Sequence, residues 1–162
     1  MTRSKGVLAF DLDVTMMWLH DRDATGTEEP DAEVTGLNEL VSQASHVLIV
    51  PTIVKELEAR GISPSSMSES VVTIVDDGDE GFLGCAKGRA ERYVDRHPDP
   101  RDCRVIAEAE CAHADIFVTL NTPLIAALDG RTDRITIARP STASKTCLGR
   151  NSRARTTAPE HR

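Results

Sequence analysis

Apolar and polar positions along the chain fall into short blocks that predict strands and helices in alternation. Val7–Phe10 is a continuous apolar run, as expected of a strand covered on both faces. Glu29-Pro30-Asp31 predicts the opening of a helix with Val34, Leu37, Leu40 and Val41 on one side. His46–Val50 predicts a second strand, and a short helix from Thr52 to Arg60 stops at Gly61, a good C-terminal cap. The segment ISPSSMSES reads as a polar loop, and Val71–Val75 as a third strand that ends in the acidic turn DDGDEG. Phe82 to Arg96 predicts a helix, weakened by Gly84 and Gly88. The clearest local signal is HPDPRDCRVIAEAECAHADIFVTLN. There Asp99 is an N-cap, Pro100 takes the first helical position and Asp102 follows in the first turn. That helix runs to about His113, with Val105, Ile106, Ala109 and Ala112 inward, and the strand Ile116–Leu120 follows directly. A short helix from Pro123 to Leu128 and a last strand at Ile135–Ala138 complete the order.

Repeated strand–helix alternation implies an α/β fold: a three-layer αβα sandwich around a central, mostly parallel sheet. Residues 1–139 are expected to form this domain. Residues 140–162 are small, polar and basic with no apolar period, so they predict a disordered C-terminal tail. In such sheets the chemistry gathers beyond the carboxyl ends of the strands. Asp11 and Asn121 both fall at such ends, and Glu56 falls in the first turns of a helix that leaves one.

Charge sharpens this picture. The 162-residue chain carries a net −7, but from Arg131 onward the balance is +6, so the first 130 residues carry −13. An acidic body is unlike the basic folded face of most DNA-binding proteins. It suits a site of carboxylates that needs cations. Aromatic residues are confined to Phe10, Trp18, Phe82, Tyr93 and Phe117, too few for a protein that stacks bases on aromatic platforms. Cys85, Cys103, Cys111 and Cys147 show no zinc-ligand spacing and are expected to be buried free thiols of a cytoplasmic protein. MTRSKG is followed by no apolar segment long enough for a signal peptide, and no run is long enough to span a membrane.

The order VLAFDLDV, VLIVPTIVKELEARG, DPRDCRVIAEAE and Thr119-Leu120-Asn121 resembles that of the PIN domain, a metal-dependent nuclease fold that includes the VapC-like toxins. The resemblance covers Val7 to about Pro140. It implies that Asp11, Glu56 and Asp102 are the family's first three acids, with Asn121 where the family has a fourth. These four residues would hold Mg²⁺ or Mn²⁺, hard cations that prefer oxygen ligands. Thr119 would orient a carboxylate or a metal-bound water, and Asp13 would support Asp11. The implied activity is endoribonuclease hydrolysis of RNA phosphodiester bonds. A toxin of this kind would have an antitoxin protein as partner, and dimerisation is common in the family. Lys145, Arg150, Arg153 and Arg155 could bring RNA phosphates toward the acidic body.

FDLDVT also resembles the first motif of haloacid-dehalogenase-like phosphatases, with Asp11 as nucleophile and Asp13 as general acid–base. Thr52, Lys55 and Asp76-Asp77 would supply its later motifs. Val14 stands where that family usually has glycine, and Lys55 comes too soon after Thr52. In that scheme Asp13→Asn abolishes phosphomonoester turnover, whereas in the nuclease scheme it only blunts diester cleavage. A third alternative is a catalytically weakened PIN scaffold that binds RNA or protein without cutting. Asp76, Asp77, Asp79 and Glu80 are expected to form a solvated turn that caps the next helix.

Overall fold

The computed structural model describes residues 6–23, 32–64, 71–76 and 78–145. The first apolar run forms β1 (Val7–Phe10), in which Leu8, Ala9 and Phe10 are all buried. Consecutive strand residues face opposite ways, so their joint burial means that both faces are covered. β2 (His46–Ile49) and β4 (Ile116–Val118) repeat this pattern, while β3 (Val72–Ile74) and β5 (Thr136–Ala138) form the edges. The five strands pair in the order β3-β2-β1-β4-β5, parallel at every pairing. Ala9 stands opposite Leu48 on one side and Phe117 on the other. The chain thus builds outward from β1 in one direction and later in the opposite one. Parallel sheets leave a crevice at such a switch, beyond the carboxyl ends of the strands. Asp11 follows β1 directly at that place.

The helices are α1 (Leu12–Asp23), α2 (Ala32–Gln43), α3 (Pro51–Ala59), α4 (Glu80–Tyr93), α5 (Pro100–Cys111) and α6 (Thr122–Leu128). They flank the sheet, giving the expected α/β architecture. α1 was not foreseen. Its apolar residues Leu12, Val14, Met16, Met17, Trp18 and Leu19 surround the helix instead of forming one stripe, which erases the helical period. It is set at the strand end by Thr15, whose N–H and hydroxyl both donate to the Asp11 carbonyl at 2.9 and 2.8 Å. Trp18 then meets the Phe10 ring edge-on, with centroids 5.6 Å apart. The expected helix opening at Glu29, Pro30 and Asp31 lies outside the described residues, but Leu37 and Leu40 of α2 are buried as predicted. Asp79 caps α4 by accepting from the Gly81 N–H, in keeping with the role expected of the acidic turn.

Two expectations need correction. Residues 140–145 do not begin a disordered tail but form a helix in which Ala143 and Ser144 are buried. It lies against α2: a Cβ on Gly36 would come within 2.7 Å of the Pro140 carbonyl oxygen and the Ser141 backbone. Glu33 accepts from the Ser141 N–H at 2.9 Å and from Arg139 at 3.2 Å. This contact joins segments more than a hundred residues apart, which local periodicity does not report. The thiols are the second correction. Cys85 of α4 and Cys111 of α5 form a disulfide, because the packing of these two helices brings positions 26 residues apart face to face. Cys103 is free and buried, as expected. Burial first, then the charges of Asp102 and Asp99, push its thiol up to about 11, so it is inert as a nucleophile. Among the described residues, no helix is long and apolar enough to cross a membrane.

Candidate functional site

Three acids predicted from separate segments meet at the carboxyl end of the sheet. Asp11 follows β1, Glu56 lies on α3 after β2, and Asp102 lies in the first turn of α5. Asp99 fixes that turn by accepting from the backbone N–H of Arg101 at 3.0 Å. Pro100 at the first helical position is pre-set for it.

What joins the acids is a residue that sequence reasoning passed over. The Arg101 guanidinium reaches all three. Its Nε and Nη2 donate to the two Glu56 oxygens at 2.9 and 2.6 Å, a fork-to-fork pair. Nη2 also donates to Asp11 Oδ1 at 2.9 Å, and Nη1 donates to Asp102 Oδ1 at 2.9 Å. Burial alone would lower the basicity of this group. The bonds and charges of Glu56, Asp11 and Asp102 outweigh that and hold its pKa above its ordinary value, so it stays charged. A local signal for it did exist in DPRDC. A cation in the first turn of a helix opposes the helix dipole and needs acids nearby to offset the cost.

The surrounding residues orient the acids. Thr119, just beyond β4, donates its hydroxyl to Asp11 Oδ2 at 2.7 Å. The hydroxyl oxygen in turn accepts the Asn121 N–H at 3.1 Å. Leu12 N–H donates to Asp11 Oδ1 at 2.8 Å. His97, also missed in the sequence, is buried with Nε2 2.8 Å from Asp102 Oδ2. It lies in the loop before α5, where no periodic pattern marks it.

Asn121 is beside the cluster, but not as a ready oxygen ligand. Its Oδ1 accepts the Leu124 N–H and caps α6, while its Nδ2 donates to Asp102 Oδ2 at 3.2 Å. Asp13 ties the start of α1 to the end of β4 by accepting from Val14 N–H at 2.7 Å and Leu120 N–H at 3.2 Å. Its residue is open to solvent at one edge. Even so, the protein around its carboxyl, followed by the Asp11 charge, pushes it up to about 6 against the pull of those two N–H groups and Arg101. Desolvation is thus the main cause, and the like charge of Asp11 adds to it.

Of the basic residues considered for RNA, Lys145 is exposed at the end of the last described helix. Arg150, Arg153 and Arg155 lie outside the described residues. Thr52, a motif residue of the phosphatase alternative, has both its N–H and its hydroxyl bonded to Glu108 at 3.0 Å. Asp76 accepts from Gly78 N–H in a local turn, and Asp77 lies outside the described residues.

Three carboxylates around one guanidinium leave the cluster short of positive charge. The donor set is all oxygen and already encloses a cation, which fits a hard divalent ion in chemistry. In spacing it encloses a larger one. Among the described residues, no group of three or more carboxylate, histidine or thiol side chains is already placed to hold a metal ion. Comparison with known proteins found no family model, no curated protein and no solved structure that matches this chain.

Proposed function

We propose that the chain is a PIN-like endoribonuclease, dependent on Mg²⁺ or Mn²⁺, that hydrolyses RNA phosphodiester bonds. The observation that carries this reading is the meeting of Asp11, Glu56 and Asp102 around one cation at the switch point of the sheet. A stable fold has no need to gather three acids there around a single arginine. A reaction centre does.

Asp11, Glu56 and Asp102 would hold the ion, with Asn121 beside them. A bound divalent ion supplies a water of lowered pKa and offsets charge on the phosphate. The chain's own residues keep the acids in place. Thr119 and the Leu12 N–H fix Asp11, while His97 and Asn121 fix Asp102. Such support governs ligand orientation, and its loss typically costs about 10–100-fold in metal affinity or activity. In this reading RNA is the substrate, the setting is cytoplasmic, and an antitoxin or a second copy of the chain is a candidate partner.

One observation favours a second reading. Arg101 already gives the acids a cation, as expected of a weakened scaffold that binds RNA or protein without cutting. An RNA-cleavage assay separates the two. With Mg²⁺ or Mn²⁺ the wild type should cut RNA, and both chelator and Asp11→Asn should stop it. Cleavage that survives chelator and Asp11→Asn alike would reject the nuclease centre, and metal-independent RNA binding without cleavage would favour the scaffold.

A further inference from the structure

We propose that Arg101 is the resident counter-cation of the acid cluster, and that its guanidinium and a divalent ion occupy the cluster in alternation. The inference rests on the nuclease reading and adds a condition to it: the ion enters only as Arg101 leaves.

The oxygen inventory carries the case. Every carboxylate oxygen of the three acids already accepts a hydrogen bond. Arg101 takes Asp11 Oδ1, both Glu56 oxygens and Asp102 Oδ1. Thr119 takes Asp11 Oδ2, while His97 and Asn121 face Asp102 Oδ2. The oxygens that face one another across the cluster are therefore the ones held by Arg101. The planar guanidinium presents five donors in a rigid fork, so one arginine can bond all three carboxylates. Mg²⁺ requires oxygens at about 2.0–2.1 Å from its centre, so the same oxygens cannot serve both cations at once.

The two cations also differ in how they are attached. Thr119, His97 and Asn121 meet the oxygens that Arg101 does not take, Asp11 Oδ2 and Asp102 Oδ2. Arg101 is on the open side. It sits at the first turn of α5 on a long stem, its side chain 30% exposed beside Glu56 at 29%, whereas those of Asp11 and Asp102 are 4% and 7% exposed. A swing of the arginine into solvent would uncover the acids without moving the helix. The uncovered cluster holds three like charges at close range, which opposes vacancy and favours one cation or the other. Apo stability and metal affinity are then set against each other by a single residue.

The test uses the full chain. In the wild type, the Arg101 Nε–H signal is followed by NMR during Mg²⁺ titration, with NaCl of equal ionic strength as control. Release from Glu56 should shift that signal and speed its exchange with water, in step with Mg²⁺ binding and not with NaCl. By calorimetry, Arg101→Gln should bind Mn²⁺ at least about tenfold more tightly than wild type. Arg101→Lys keeps the charge but loses the fork, and should fall between them. An Nε–H signal unchanged while Mg²⁺ saturates the protein would overturn the inference, as would Arg101→Gln binding no tighter than wild type. The nuclease reading would survive either result. If neither protein binds Mn²⁺, both the inference and that reading fail. Should Arg101→Gln not fold, the NMR titration and Arg101→Lys still decide.

Discussion

The two ends of α5 carry buried acids in opposite circumstances. Toward its C-terminal end, acids and arginines match in number. Glu108 pairs with Arg104 and accepts from Thr52, while Glu110 accepts from Tyr93 and the Arg134 N–H and, with Asp133, shares the two arginines Arg89 and Arg92. At its N-terminal end Asp102 shares one arginine with Asp11 and Glu56. A buried acid whose charge is matched by an equal number of arginines is committed to the fold. Acids that must share a cation remain in demand of another. Matched charge marks structure and unmatched charge marks a site, although both kinds are buried acids on the same helix.

The strongest way to break this comparison is to move a neutral amide from one end to the other. Asp11→Asn should cut the metal-dependent RNA cleavage rate by roughly a thousandfold or more, the scale of losing a group that acts on the transition state. Glu110→Gln should leave the rate per folded molecule unchanged. Its effect should fall on stability: Arg89 keeps Asp133, so what is lost is the charge assistance of the buried hydrogen bonds to Glu110, about 1.5–3 kcal/mol, measurable by urea unfolding. Loss of cleavage in folded Glu110→Gln would erase the distinction between the two ends.

The same helix shows what a sequence makes legible. The N-terminal turn of α5 was readable because Asp99, Pro100 and Asp102 act locally, through capping and the helix dipole. The sheet strands were readable because burial on both faces writes continuous apolar runs. Asp11, Glu56 and Asp102 were singled out by the resemblance of their order along those elements to that of the PIN domain. Arg101 was not: its place in the first turn of α5 was a local hint, but its partners lie on segments up to ninety residues away. The Cys85–Cys111 bond and the seat of residues 140–145 on α2 were hidden for the same reason. α1 was hidden for another: its apolar residues surround it, so no stripe betrays the period.

Smaller effects sharpen the contrast between structural pairing and the site. Reduction of Cys85–Cys111, which closes a loop spanning 26 residues, should lower stability by about 3 kcal/mol while leaving Mn²⁺ affinity unchanged. Urea unfolding and calorimetry with and without reductant would check both. The proposed cytoplasmic setting is reducing, so the domain would have to function with this pair open.

The smallest effect concerns Glu33. Burial alone would raise its pKa. The Ser141 N–H and hydroxyl, together with Arg139, more than offset that and hold it below its ordinary value near 4.5. An acid lowered in the folded state stabilises above its unfolded pKa and loses that contribution as pH falls through the folded value. Acidification below about 4.5 should therefore loosen residues 139–145 from α2, seen as faster amide exchange there. Glu33→Gln should remove that pH dependence. A segment that loosens equally in Glu33→Gln would show that some other group holds it.

The most direct measurement is calorimetric titration of Mn²⁺ into the wild type and into Asp11→Asn. If unmatched charge at the N-terminal end of α5 makes a cation site, the wild type binds Mn²⁺ and the variant binds it at least about a hundredfold more weakly. Equal binding by the two proteins, or none by either, would contradict the assignment of Asp11, Glu56 and Asp102 as a shared metal centre.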